Sequence, residues 1–125
     1  MKKKGKTGII GSFACAFKGL LVLVKEERNA LIQLVLLILV VVLGIVLNIS
    51  KGDWLYIIIV SGFVVTSECF NTAVENLSDI ITREQDERIK KIKDLAAGGV
   101  LIAAIAAAIT GLLVFVPELK DVFSS

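Results

Sequence analysis

Five polar residues in an apolar stretch carry the chemistry this chain can do. Glu68, Asn71, Thr72, Glu75 and Asp79 stand at i, i+3, i+4, i+7 and i+11 within the segment 67–79. On a helix of about 3.6 residues per turn these positions share one face. The segment closes a long apolar run that begins at Trp54. A charged side chain in hydrocarbon costs about 2–4 kcal/mol even on lenient scales. Carboxylates on one such stripe are therefore expected to act. Oxygen ligands at this spacing suit Mg²⁺, which keeps several waters and commonly bridges carboxylates to substrate phosphates. A carboxylate at a bilayer edge is also a better proton acceptor than a fully solvated one.

The elements that must position this stripe are membrane helices. The chain has 125 residues, 56% of them hydrophobic. Three runs near 30–49, 54–81 and 95–116 account for most of that, each close to the roughly 20 residues needed to cross a bilayer. The run from Val35 to Leu43 is apolar on all sides, so lipid is its natural solvent. The expectation is an all-α membrane protein, one domain over residues 1–125. A cytoplasmic leader and surface helix would fill 1–28 and a charged cytoplasmic loop 82–94. Within the leader, Ser12 is expected to cap a helix running to Lys25. There Phe13, Ala16, Phe17, Leu20, Leu21 and Val24 repeat at helical spacing. That segment is too short to span and is expected to lie on the membrane surface as an amphipathic helix. Asn48 to Asp53 reads as a turn, Trp54 and Tyr56 as interfacial anchors, and Pro117 as the end of the third span.

Twelve of the fourteen Lys and Arg residues precede the first span or lie between the second and third; only Lys51 and Lys120 do not. The positive-inside rule then puts the N-terminus, the 82–94 loop and the acidic stripe on the cytoplasmic side. A formal charge of +2 does not suggest nucleic-acid binding. There is no histidine, so acid–base work falls to carboxylates or lysine. Cys15 and Cys69 form no CxxC pair and imply neither a disulfide framework nor a zinc site. The third span is rich in Ala and Gly, which lets helix backbones approach closely in lipid. Three helices are too few to enclose a polar site, so a homo-oligomer is expected. No GxxxxGK[ST] phosphate loop occurs. The parts suit phosphoryl transfer, which needs mainly positioning and charge neutralisation. They equally suit a small oligomeric ion or proton transporter built on Glu68 and Glu75, or a purely structural role.

A resemblance is more specific. Glu68-x-x-Asn71-Thr72-Ala73-Val74-Glu75-x-x-x-Asp79 resembles the signature E-x-[apolar]-N-[ST]-[SA]-[apolar]-E-x-x-x-D of the prokaryotic integral-membrane diacylglycerol kinase family, which includes the undecaprenol kinases. Ala16-Phe17-Lys18-Gly19, Glu27-Arg28-Asn29 and Lys93-Asp94 resemble further family elements in the surface helix, before the first span and before the third. The resemblance implies a homotrimeric bundle in the bacterial inner membrane, with the active sites shared between subunits at the cytoplasmic surface. It implies an ATP- and Mg²⁺-dependent kinase that phosphorylates the hydroxyl of a membrane lipid, diacylglycerol or undecaprenol. Carried over by position, Glu68 is the general base and meets the lipid substrate. Glu27 and Glu75 bind the metal and, through it, the nucleotide. Asn71 supports the site, and Lys93, Asp94 and the loop residues Glu84, Gln85 and Asp86 contact the nucleotide. Asp79 is expected only to end the stripe or pair with a loop cation. Two positions depart from the family pattern. Gly8 stands where an arginine is common, with Lys6 the nearest cation, and Cys15 stands where some members have a tyrosine.

Overall fold

The computed structural model describes residues 4–124, and side chains from residue 8 onward, so Lys6 as a stand-in for the family arginine lies outside the described residues. Four helices follow one another: α1 (Lys4–Glu26), α2 (Arg28–Leu47), α3 (Lys51–Ile81) and α4 (Glu87–Ser124). Each is long and apolar enough to cross a membrane. That includes α1, whose apolar stretch runs from Gly8 to Glu26 and is longer than the surface segment expected from the sequence.

The local chemistry explains where the helices begin and end. Gly8 has φ 65° and ψ −162°, a conformation open to glycine, and it kinks the start of α1. Ser12 is therefore not a cap. It lies inside the helix, and its hydroxyl donates back to the Gly8 carbonyl at 3.1 Å. Helix α2 ends on Asn48 in the left-handed region (φ 52°). The Asn48 N–H donates to the Ile45 carbonyl and the Ile49 N–H to the Gly44 carbonyl, both at 3.2 Å, a Schellman closure. The Ser50 hydroxyl then accepts from the Asp53 N–H at 3.0 Å and starts α3 at Lys51. The turn expected over 48–53 is thus shortened, because its last three residues are already the first turn of α3.

The loop expected over 82–94 is shortened more. Thr82 closes α3 through its N–H to the Ser78 carbonyl at 3.0 Å, and its hydroxyl accepts from the Glu84 N–H at 3.0 Å. Asp86 then accepts the Arg88 N–H at 2.8 Å, an N-cap that begins α4 at Glu87. Residues 87–94 are therefore helix. At its other end α4 runs through Pro117 to Ser124 and does not stop there. Proline removes one backbone bond, and long membrane helices tolerate that loss.

Helices α3 and α4 pack along their lengths, while α1 and α2 touch the rest more sparsely. Among the described residues the buried apolar side chains are Leu23, Ala30, Ile49, Ile57, Val114 and Phe115. Four of these, Ile49, Ile57, Val114 and Phe115, form a cluster with Trp54 packed against it. There the Trp54 ring lies over Gly44 so closely that a Cβ on Gly44 would sit 2.8 Å from ring carbon Cη2. Most large apolar side chains on all four helices point outward. Lipid or neighbouring protein is the environment in which that is stable.

Candidate active site

The acidic stripe of α3 faces inward at the end remote from Trp54. Glu68 is only 3% exposed, and Thr72 and Ser78 are also buried; Asn71, Glu75 and Asp79 are half-buried. The helical period read from the sequence therefore does place these residues against the rest of the chain. What meets Glu68 comes from α2: Gln33 Nε2 donates to Glu68 Oε1 at 3.0 Å. An apolar pocket of about 200 Å³ opens beside this pair, between α1, α2 and α3. Leu20, Leu23, Val24, Ala30, Leu34 and Val65 line it with the apolar parts of Gln33 and Glu68, so its surface is wholly apolar. Among the described residues three buried side-chain polar atoms have no partner: Gln33 Oε1, Asn71 Oδ1 and Thr72 Oγ1.

Two further carboxylates act on Glu68 by Coulomb repulsion, those of Glu27 and Glu75. Glu75 is two turns along α3. Glu27 arrives from a different element: it is the single extended residue between α1 and α2 (φ −113°, ψ 113°). Its side chain makes no capping bond to α2. Beside it, Asn76 Nδ2 donates to Glu26 Oε1 at 3.4 Å and ties the end of α1 to α3. No three acidic or cysteine side chains among the described residues close into a metal cage. Mg²⁺ does not need one, since one or two carboxylates with waters and phosphate oxygens complete its shell. The hard oxygen donors of Glu27 and Glu75 fit that arrangement.

The remaining expected residues gather further along, at the α3–α4 end. Lys93 Nζ bonds Asp79 Oδ1 at 3.1 Å, the loop-cation pairing expected for Asp79. Glu84, Gln85 and Asp86 line a cleft of about 590 Å³ together with Lys90 and Lys93. The Arg88 side chain, which donates to Asp86 at 3.0 Å, and the Arg88 backbone N–H hold the Asp86 carboxyl down to about 2. Asp86 is therefore charged across the physiological range. Asp94 does not join this cleft. One helical position on from Lys93, it faces a neighbouring hollow with Gly98 and Gly99 and pairs with Lys90 at 2.6 Å. Gln33 is the residue missed by sequence reasoning. Its signal was a lone amide in the run Leu31-Ile32-Gln33-Leu34-Val35.

The family profile described as prokaryotic diacylglycerol kinase matches residues 14–115, nearly the whole chain. The chain belongs to that family. It is 33% identical over 108 residues to the undecaprenol kinase of Bacillus subtilis, covering 86% of this chain and 88% of the relative. It is 31% identical over 112 residues to the diacylglycerol kinase of Synechocystis, covering 89% of this chain and 64% of that longer relative. The chain is thus a lipid kinase of the diacylglycerol and undecaprenol kinase type, and a multi-pass membrane protein. The transporter reading of the acidic stripe is not favoured for a member of this kinase family.

Proposed function

We propose that this lipid kinase transfers the γ-phosphate of ATP to the hydroxyl of undecaprenol or diacylglycerol at the cytoplasmic face of the bacterial inner membrane. The observation that carries the reading is the buried Glu68 carboxylate beside an apolar pocket, with Glu27 and Glu75 in electrostatic reach. A lipid chain suits the apolar pocket, and Glu68 is the one carboxylate-bearing residue in its wall to receive the hydroxyl proton. Glu68 takes the hydroxyl proton as the oxygen bonds to the γ-phosphorus and the bond to the ADP oxygen breaks. Glu27 and Glu75 would hold Mg²⁺, which supplies charge neutralisation on the phosphate oxygens. Asn71 supports the site from the same helix face as Glu68 and Glu75. Lys93 and the 84–86 loop, sharing one cleft, contact the nucleotide, and Asp94 contributes from its edge.

The surrounding assembly follows from what one chain lacks. With so little apolar surface buried, the helices suit packing with further copies, and a homotrimer with shared sites is our reading. Within it α1 lies as an amphipathic helix on the cytoplasmic surface, its Lys18 and Lys25 at the headgroups, and the other three helices span. The charge asymmetry supports a cytoplasmic N-terminus. Between the two lipids, the pocket favours the alcohol with fewer polar groups. Its surface is apolar and offers no hydrogen-bond donor for ester carbonyls, the Gln33 amide in its wall being engaged by Glu68. The assay is the purified protein in detergent micelles with Mg-ATP and each lipid side by side. Phosphorylated undecaprenol, in excess over phosphatidic acid, is the expected product. No phosphorylated product from either lipid would overturn the kinase chemistry assigned here.

A further inference from the structure

The amide of Gln33 is buried at the wall of the pocket, and it meets Glu68 across 35 positions of sequence. An ionised carboxylate only accepts hydrogen bonds, so the NH2 end of the amide has to face it. The other end, Oε1, is left buried without a partner among the described residues. A lone buried acceptor is unfavourable, and the pocket beside Gln33, lined by six apolar side chains, offers no polar site for a bridging water. Of the two other buried polar atoms without a partner among the described residues, Asn71 Oδ1 only accepts, and the Thr72 hydroxyl, which could donate, makes no bond to Gln33 Oε1. One group beside Gln33 gains a donor during the reaction proposed above, and that group is Glu68 itself. Once it has taken the proton of the lipid hydroxyl it is a carboxylic acid, with one O–H to give.

We propose that Gln33 is a positioning residue matched to both states of Glu68. Its N–H holds the ionised carboxylate in place at the pocket wall, and its carbonyl accepts the O–H of the protonated carboxyl as phosphate transfer completes. The inference rests on Glu68 being the base. The step balances: the lipid oxygen gains phosphorus and loses its proton, ADP leaves with the electron pair of the broken bond, and the proton stands on Glu68. From there it is released when the phosphorylated lipid departs. A primary amide can donate to one carboxyl oxygen and accept from the other, which no apolar residue of its size can do. This accounts for a glutamine in the midst of Leu31, Ile32, Leu34 and Val35, where a leucine would cost less in lipid.

The test compares Gln33→Met, which keeps length without hydrogen bonds, with Gln33→Asn, which keeps the amide but withdraws it by one methylene. Glu68→Gln serves as the reference, and all are assayed with Mg-ATP and both lipid alcohols. Both Gln33 variants are expected to lose kcat by about 10- to 100-fold, the cost of a misplaced catalytic group. The KM for Mg-ATP is expected to stay within about twofold and the thermal midpoint to fall only slightly, since the variants take a donor from the buried Glu68 carboxylate while relieving the orphaned Gln33 carbonyl. The solvent deuterium isotope effect on kcat is expected to grow as proton transfer becomes slower. If Glu68→Gln is inactive while both Gln33 variants turn over within about threefold of the parent, the Gln33 role is wrong and the base assignment stands. If Glu68→Gln is itself near normal, the base assignment fails first. If the Gln33 variants lose stability and nucleotide binding together with rate, Gln33 is a packing residue and the proposal is overturned.

Discussion

Replacing Glu68 by glutamine changes the charge of the candidate site and little else. The two side chains have the same shape, and at 3% exposure the position leaves no room for a larger rearrangement. Gln33 Nε2, 3.0 Å from Glu68 Oε1, can donate to an amide carbonyl as it does to the carboxylate. What disappears is the proton acceptor. A positioned general base is worth about 10²–10⁴-fold in rate, and at about 1.4 kcal/mol per decade that is roughly 3–5 kcal/mol of transition-state stabilisation. The sign of the effect on nucleotide is also determined. Glu68 repels Glu27 and Glu75, and it is a negative charge near an anionic substrate. Its loss should leave the KM for Mg-ATP level or lower it. The protein should melt no earlier, since a buried charge has been exchanged for a neutral group. The assay is transfer of labelled γ-phosphate to lipid in mixed micelles, with Mg-ATP varied at saturating lipid. Turnover within about tenfold of the parent would refute the base assignment. A raised KM with unchanged kcat would refute it differently, by placing Glu68 on the metal or the nucleotide.

Three further outcomes follow from neighbouring contacts. Glu75→Gln and Glu27→Gln should each raise the Mg-ATP concentration for half-maximal rate by at least about tenfold, because each removes a hard oxygen ligand; a titration of Mg²⁺ at fixed ATP reads this directly. Lys93 and Asp79 are each more than a third exposed, so their pair is worth at most about 1 kcal/mol. Asp79→Asn should therefore change turnover by less than about fivefold, whereas Lys93→Met should raise the KM for Mg-ATP well beyond that; equal losses in steady-state kinetics would make Asp79 part of the chemistry. Gly44→Ala forces a methyl against the Trp54 ring and should lower stability by about 1–3 kcal/mol while leaving kcat per folded protein unchanged. A thermal melt beside the micelle assay separates the two effects.

The parts of the site that were legible in the sequence are those carried by helical period. Glu68, Asn71, Thr72, Glu75 and Asp79 repeat every three or four residues, and α3 buries or half-buries all five. The pairing of Gln33 with Glu68 has no period to reveal it, since it is set by how α2 leans on α3. Lys93 and Asp94 are expected together on the nucleotide because the pair resembles a family element, but adjacent helical residues point about 100° apart, and the two line different hollows. Helix ends were the least legible. The charged run 87–94 looks like a connector, yet Asp86 caps it and Lys90 and Asp94 pair at helical spacing. Composition alone weighs a charged run as loop because it cannot weigh a cap. Pro117 misled for the opposite reason: its local rule is strong, but one missing backbone bond does not outweigh the rest of a 38-residue helix.

The joint between α1 and α2 is a single residue, and that residue is Glu27. A hinge made of several residues can bend while its side chains stay where they were. A one-residue hinge cannot: turning α1 against α2 rotates the backbone of Glu27 and swings its carboxylate with it. The tilt of α1 and the aim of that carboxylate are one mechanical coordinate. Any ligand that grips the carboxylate also sets the angle of the helix, and any force that tilts the helix, a thicker bilayer for instance, loads the ligand.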